Sequence, residues 1–494
     1  MKSIIQLSVL FCIILGTSSV FAQKGIIRGK VFDKESGQPI MAATVYLDGT
    51  TYGVTTDENG FFSISNLEKG SYKLVASFIG FDDLKLDIEV GAGKIVYKNL
   101  YLVTSEVQLS ETEIVSNKNE ERKSQVYISK ITVTPKEIKK LPSASGDADI
   151  AQYLSVIPGI IVSGDQGGQI YIRGGSPVQN LILLDGVPIY NPFHSIGLFS
   201  VFETEAVRNI DVLTGGYNAE YGGRISAVVD IATKDGNKKN LGGLVAVSPF
   251  QARAMIEGPI IALKDDKQSS LSFMLTGKYS YLEQTSKALY KYAGDSTGKL
   301  PYNYGDLYGK LSWASVNGSK LNVFGFNFTD RVNLENVAQI KWDNFGAGTD
   351  FTLIPGGSNL VLGGKVAYSK YNMRLEEFNQ DPRFSTIEGY TAGLDFTSYG
   401  NKSEVKYGFE LNSFRTNFKF RTAYKTTIEE EQNNTEVNGF VKFRKQWGNF
   451  IMEPGLRIQY YASLGEFSPE PRIGLKYNIT DKIRLKGAAG IYSQ

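Results

Sequence analysis

Val437-Asn438-Gly439-Phe440-Val441-Lys442-Phe443-Arg444-Lys445-Gln446-Trp447-Gly448-Asn449-Phe450-Ile451-Met452-Glu453-Pro454-Gly455-Leu456-Arg457-Ile458-Gln459-Tyr460 keeps one two-residue beat on both sides of a tight turn. Val437, Gly439, Val441, Phe443 and Trp447 share a face before Gly448-Asn449, and Phe450, Met452, Pro454, Leu456, Ile458, Tyr460 and Ala462 share one after it. Lys442, Arg444, Glu453, Arg457 and Gln459 occupy the opposite face. Successive side chains of a strand point to opposite sides, so this alternation predicts two paired strands. An apolar face backed by a charged one suits a wall with hydrocarbon outside and a wet lumen inside. A closed sheet can take that position because its backbone hydrogen bonds are all made between strands. A large soluble β-sandwich or adhesin would alternate too, but its second face would not carry charges so regularly on strands this long.

The same beat starts near Leu241 and runs to the last residue. Leu271, Phe273, Leu275, Gly277, Tyr279 and Tyr281 oppose Ser272, Thr276, Lys278 and Ser280, while Tyr390, Ala392, Leu394 and Phe396 oppose Thr391, Gly393, Asp395 and Thr397. Each segment is about the 9 to 11 residues that a tilted strand needs to cross a bilayer, which sets Lys278 and Asp395 toward the lumen. Ile473, Leu475, Tyr477 and Ile479 turn at Thr480-Asp481-Lys482 into Ile483, Leu485, Gly487, Ala489 and Ile491. Tight turns of this kind read as periplasmic, and longer polar stretches such as 284–303 as outward loops. Trp447, Phe450 and Tyr460 fall near strand ends, where interfacial aromatics belong.

Composition agrees. The chain has 494 residues with one cysteine, Cys12, and one histidine, His194, which rules out zinc ribbons, disulfide frameworks and histidine triads. Glycine, at 52 residues, is about one and a half times its usual share of roughly 7%. Fifty-three Lys and Arg nearly cancel 51 Asp and Glu, and a net charge of +2 offers no field for a nucleic-acid partner. Residues 1–22 read as a signal peptide: Lys2, an apolar run from Ile4 to Leu15, then small and apolar residues up to Ala22. That run is too short to span a membrane, which takes about 20 apolar residues, and cleavage would discard Cys12.

Residues 24–104 carry short strand-like segments such as Ile26-Ile27-Arg28-Gly29-Lys30-Val31-Phe32 and Ala43-Thr44-Val45-Tyr46-Leu47, broken by turn clusters, and predict a small β-sandwich. Within it, Thr56-Asp57-Glu58-Asn59-Gly60-Phe61-Phe62-Ser63-Ile64 and Gly70-Ser71-Tyr72-Lys73-Leu74 resemble the carboxypeptidase-regulatory-like domain, which is not catalytic. Asp57, Glu58 and Asn59 lack the spaced ligands of a calcium loop and read as turn chemistry. Residues 105–123 are polar and form a linker, in which Glu111-Thr112-Glu113-Ile114-Val115-Ser116 is a short segment able to add as a strand to a partner's sheet edge or to fray from the sandwich.

Residues 124–235 mix helix and strand. Asp147 is the expected cap of a short helix with Ile150, Ala151, Leu154 and Ile157 on one face and Pro158-Gly159 as its stop. Strands follow at Gln169 to Ile172 and Asn180 to Leu184, with turns at Gly174-Gly175 and Asp185-Gly186. Gly164-Asp165-Gln166-Gly167-Gly168 lacks the Gly-Lys-Ser/Thr of a phosphate loop. His194 sits in a loop, where packing or hydrogen bonding is favoured over contact with a ligand or metal. The blocks Tyr171-Ile172-Arg173-Gly174-Gly175-Ser176-Pro177, Leu181 to Pro192, Asn209 to Gly216 and Ala219-Glu220-Tyr221-Gly222-Gly223-Arg224-Ile225-Ser226 resemble the plug domain of TonB-dependent outer-membrane receptors. The glycines at 174, 175, 215, 216, 222 and 223 suit backbone with positive φ or close to a neighbouring wall.

The resulting expectation is a mainly β chain: a sandwich, then an α+β plug, then from residue 236 to 494 a partial antiparallel transmembrane barrel. It has about 12 of the roughly 22 strands that a plugged lumen requires, as if it were the N-terminal portion of a longer receptor. The resemblance implies an outer-membrane importer of a scarce nutrient, whether siderophore, cobalamin, glycan or peptide. Its partners would be a TonB-type energy transducer acting on Glu111 to Ser116, outer-membrane lipid, the nutrient ligand and, as a further candidate, a surface lipoprotein. It also implies that plug arginines dock on barrel glutamates, with Arg173 and Arg224 as candidates facing Glu410 and Glu453, although solvated lumen charges fit those glutamates equally well. No catalytic residues, metal site or cofactor are expected. The alternative is a surface binding or adhesion protein without transport.

Overall fold

The computed structural model describes residues 24–105, 126, 129–141, 148–163, 169–194, 197, 199–264, 268–289, 299–356, 358–400, 402–422, 424–480 and 483–494. The expected signal peptide, the segment Glu111 to Ser116, the Gly164 to Gly168 run and Asp147 lie outside the described residues.

The first body is a two-sheet sandwich. Its strands are β1 (Gly25–Asp33), β2 (Thr44–Leu47), β3 (Gly53–Thr55), β4 (Phe61–Leu67), β5 (Gly70–Ser77), β6 (Leu84–Val90), β7 (Ile95–Tyr97) and β8 (Leu100–Leu102). One sheet runs β4-β1-β7 with β8 also on β1, and the other runs β3-β2-β5-β6. Ile27, Val31, Val45, Leu47, Phe62 and Leu74 fill the space between them. Asp57 accepts hydrogen bonds from the backbone of Asn59 and Phe61, both at 2.8 Å, so this carboxylate serves its own turn.

The second body is α+β. Strands β9 (Lys130–Val133), β10 (Ile160–Ser163), β11 (Gln169–Ile172), β12 (Asn180–Leu184), β13 (Val187–Pro188), β14 (Phe193–His194), β15 (Phe199–Ser200), β16 (Val207–Leu213) and β17 (Ala227–Thr233) accompany two short helices, α1 (Pro135–Ile138) and α2 (Ile150–Ser155). The main sheet has the order β13-β12-β17-β16-β9, with β12 and β17 parallel. The cap of α2 is Asp149 rather than Asp147. The helix begins at Ile150, and the Asp149 carboxylate takes the Ala151 N–H at 2.7 Å while its second oxygen takes the Ser200 N–H at 2.9 Å. Ile150, Ala151, Leu154 and Ile157 are buried together as expected. Asp185 (φ 47°) and Gly186 (φ 79°) make the two-residue turn between β12 and β13, the left-handed pair that Asp-Gly favours.

The third body is one antiparallel sheet in sequence order. Its strands are β18 (Gly242–Val247), β19 (Gln251–Ile261), β20 (Ser270–Ser280), β21 (Tyr302–Ala314), β22 (Lys320–Leu334), β23 (Ala338–Leu353) and β24 (Leu360–Glu377). They continue with β25 (Arg383–Gly400), β26 (Ser403–Arg421), β27 (Thr427–Trp447), β28 (Phe450–Tyr461), β29 (Glu466–Asn478) and β30 (Arg484–Gly490). A third helix, α3 (Leu282–Leu289), lies in the connection expected to face outward. The β20–β21 connection lies at one end of the sheet and the β27–β28 turn at 448–449 at the other, as the alternating strand directions require.

Along β20, Ser270, Ser272, Thr276, Lys278 and Ser280 are buried while Leu275 and Tyr279 are exposed. Along β28, Glu453, Arg457 and Gln459 are buried while Leu456, Ile458 and Tyr460 are exposed. The strands exceed the expected length: β26 has 19 residues and β27 has 21. The first seven residues of β27 are all exposed and polar apart from Ile428, so this hairpin projects past any apolar band, whose height is about 25 Å.

Candidate functional site

The inner face of the sheet is filled by the α+β body, and the two meet through buried charges. The Asp185 carboxylate, carried by the β12–β13 turn, accepts from Tyr308 Oη at 2.6 Å and from Lys310 Nζ at 3.3 Å. Both donors stand on β21, two residues apart and hence on one face. Burial alone would raise the Asp185 pKa, but Lys310 and Tyr308 outweigh it and hold the carboxyl below its ordinary value.

His194 on β14 enters the wall on the same side. It is fully buried, with Nε2 2.8 Å from Asp306 and Nδ1 3.3 Å from Asp330, and it stacks on Tyr304 with ring centroids 4.3 Å apart. Lys278 Nζ lies 3.1 Å from Asp306 and donates to the Ser200 carbonyl at 2.7 Å. Burial disfavours the imidazolium, yet the two carboxylates more than offset it and raise the His194 pKa. The hydrogen-bonding role is therefore the one this residue plays. Among the described residues, no group of three His, Cys, Asp or Glu side chains is placed to hold a metal ion.

Nearer the other end, Glu220 bonds directly to Lys406 and Lys442. Against the penalty of burial, these two ammonium groups keep Glu220 far below the usual carboxylate range. Arg457 donates to the carbonyls of Ala219 (3.4 Å) and Glu220 (3.3 Å), and Arg472 donates to those of Asn218 and Tyr221. Gly222 is needed at this contact because a Cβ there would collide with the Arg457 guanidinium. Glu203 with Arg253 at 2.7 Å and Asp235 with Lys320 at 2.6 Å repeat the arrangement.

Docking thus runs in both senses: the plug supplies carboxylates to wall cations at Asp185, Glu203, Glu220 and Asp235, and it supplies His194 to Asp306 and Asp330 and Lys234 to Glu257 (2.7 Å), but not the expected arginines. Arg173 sits at a turn (φ 48°) and donates to Ser129 at 3.2 Å on an exposed side of the plug, away from both glutamates. Arg224 donates to the Gly223 carbonyl at 2.6 Å, and its charge bears on Glu436. Glu410 is held by the wall's own Lys365 (2.9 Å) and Arg457 (3.1 Å). Only Glu453 meets the plug, through Asn218 at 3.4 Å. The physical reason is local: both arginines spend their donors on the plug itself, at Ser129 and the Gly223 carbonyl, whereas the inward beat of the strands already set Lys442 and Arg457 toward the plug.

Below this docking surface a cavity of about 700 Å³ remains between the three bodies. Tyr221 and Arg224 of the plug, Lys365, Asp395 and Lys406 of the wall and Glu58 of the sandwich are among its lining residues.

Comparison with known proteins accords with this arrangement. Residues 27–114 match the CarboxypepD_reg-like domain, and residues 122–229 match the TonB-dependent receptor plug domain. The TonB-dependent receptor SusC of Bacteroides thetaiotaomicron is 28% identical over 227 residues, 44% of this chain and 22% of that protein. The vitamin B12 transporter BtuB of Vibrio vulnificus is 35% identical over 149 residues, 28% of this chain and 23% of that protein. The crystal structure of the ferric citrate transporter FecA in its unliganded form superposes with a TM-score of 0.56 at 14% identity, covering 76% of this chain and 64% of FecA. The matched part therefore spans about a quarter or less of these curated relatives' lengths and under two thirds of FecA. The chain thus carries a TonB-dependent receptor plug domain behind a CarboxypepD_reg-like domain, against a wall similar in fold to that of the ferric citrate transporter.

Proposed function

We propose that this chain serves in the outer membrane as an importer of a scarce nutrient, energised from the periplasm. The observation that carries the reading is the plug surface, where Asp185, His194, Glu203 and Glu220 are each bound to a charged partner on the wall. Removing one member of a buried ion pair costs about 3–5 kcal/mol, so a plug held by several such pairs stays shut until work is done on it. A TonB-type partner that adds a strand to Glu111-Thr112-Glu113-Ile114-Val115-Ser116 would pull on the chain just before β9, the edge strand of the plug sheet. No bond in the cargo needs to be made or broken.

The named relatives, which include a vitamin B12 transporter and a ferric citrate transporter, support a nutrient cargo and leave its class among siderophore, cobalamin, glycan and peptide. Growth of a deletion strain on a panel of limiting nutrients identifies it. Deleting residues 111–116 should then abolish uptake of that nutrient while cells still bind it at the surface. Unchanged uptake would refute partner coupling through this segment. Binding in the parent strain without any energised uptake would mark a surface-binding protein instead.

A further inference from the structure

The sandwich does not dangle from the plug. It is seated against successive turns along one rim of the sheet. Arg28, only 2% exposed, bonds to the carbonyls of Pro355 and Ser358 in the β23–β24 turn. Phe61 packs on Tyr399 at the end of β25, with ring centroids 5.4 Å apart, and Ser65 Oγ lies 3.4 Å from the Tyr399 carbonyl. A side chain on Gly318, in the β21–β22 turn, would strike the Tyr97 hydroxyl, and one on Gly37 would press on Leu263 in the β19–β20 connection. The plug joins the same contact, since Lys130 Nζ lies 3.4 Å from Glu58, and just past its end Lys238 N donates to the Ser36 carbonyl at 3.0 Å. The docked edge of the sandwich, from Asp57 through Ser65, also walls the 700 Å³ cavity that the plug leaves open.

We infer that the sandwich is a second stopper: seated on the periplasmic rim, it closes the outlet of the space between plug and wall, and it must lift for a solute to leave the lumen. The inference rests on the importer reading for which end faces the periplasm. Its geometry is that of a cap, because four neighbouring turns and the end of the plug all meet one small domain, and because the charge-lined cavity of about 700 Å³ ends against it.

Cysteine labelling of the full-length protein in lipid vesicles tests it, since Cys12 is the sole cysteine of this chain. Thr397→Cys places a thiol on the cavity wall, and Ser369→Cys places one where Tyr190 of the plug meets the wall. A polar maleimide added on the sandwich side should label Thr397→Cys slowly. Labelling should quicken about tenfold when Arg28→Ala or Tyr399→Ala unseats the sandwich and shifts the closed state toward open. Tyr399→Ala lies in the wall and leaves the sandwich core untouched, so it keeps the test sound if Arg28→Ala misfolds. Ser369→Cys should stay slow in every variant. Equal rates for Thr397→Cys with and without the seat would overturn the stopper while leaving the plug intact. Free labelling of Ser369→Cys in the parent would instead show that the plug does not fill the wall, and both readings would fall.

Discussion

Sandwich and wall are both antiparallel-rich β-structure with the same two-residue beat, yet they bury opposite chemistry. Between the sandwich sheets lie Ile27, Val45, Leu47, Phe62 and Leu74, and the exposed residues of β5 and β6 include Lys73, Lys85, Asp87 and Glu89. On the wall, Lys278, Lys442, Glu453, Arg457 and Gln459 are buried, while Leu394, Phe409, Val441 and Leu456 are exposed. The difference teaches that burial follows what lies on each side, not residue class. The sandwich turns water away from its apolar side chains. In the proposed outer-membrane setting, the wall offers its apolar side chains to hydrocarbon and keeps its charges for partners on the plug, because an unpaired charge in lipid is far dearer than one paired inside.

The strongest way to break this contrast is at Glu220. Replacing Lys406 and Lys442 together with alanine leaves a buried carboxylate without its cations, which should loosen the plug by about 3–5 kcal/mol. Limited proteolysis should then cut the plug while the wall stays heat-modifiable on gels. An intact plug would mean that the pairs contribute little.

Next come two leucine truncations of identical chemistry. Leu74→Ala in the sandwich, 1% exposed, opens a cavity and should cost about 2–5 kcal/mol by thermal unfolding. Leu394→Ala on the outer face, 47% exposed, should cost less than about 1 kcal/mol in a bilayer, because lipid chains are as apolar as leucine and fill the gap. Equal losses would remove the distinction between the two surfaces. A charge sharpens it further: Leu456→Arg, in the middle of β28, should destabilise the folded wall in lipid by about 2–4 kcal/mol if it lies near the midplane. Tolerance of that arginine in bilayer refolding would count against a lipid-facing surface.

The smallest effect is a pH dependence at the joint of sandwich and plug. Burial first, then the Glu58 carboxylate, push Asp230 up to about 6. The folded chain therefore holds a proton that the unfolded chain, with an ordinary pKa near 3.9, releases. Stability should fall as pH rises from about 4 to about 6, by at most about 3 kcal/mol, and change no further from this group above that. Glu220 acts with the opposite sign: its stabilisation is present above its unfolded pKa and is lost only as pH falls through its much lower folded value. Unfolding midpoints of Asp230→Asn between pH 4.5 and 7 should be flatter than those of the parent. Parallel curves would show that the joint does not titrate there.

How much of this was legible in the sequence follows from the range of the interactions. The period of β28 is carried by neighbouring residues, so Leu456 out and Arg457 in could be read directly, as could the Asp185-Gly186 turn and the buried face of α2. Strand length was misjudged because the polar outer part of β27 continues the pairing beyond the alternating stretch. The docking residues were mostly hidden because Lys442 and Glu220 meet across 222 positions and no local pattern links them. Glu220 stood within a quoted plug block, and Lys442 and Arg457 on the inward face. The available signal was that an inward face rich in cations calls for acids on the body that fills it, which favoured the acidic side chains of the plug over Arg173 and Arg224.

The central claim is that the thirteen-stranded sheet has lipid on one face and the plug on the other. Spin labels placed singly from residue 450 to 461 along β28 of the full-length protein in a bilayer test it directly, through their access to dissolved oxygen. The account predicts a period of two, with maxima at Met452, Leu456, Ile458 and Tyr460 and minima at Glu453, Arg457 and Gln459. Uniform access to a water-soluble relaxant, or maxima at the charged positions, would contradict it.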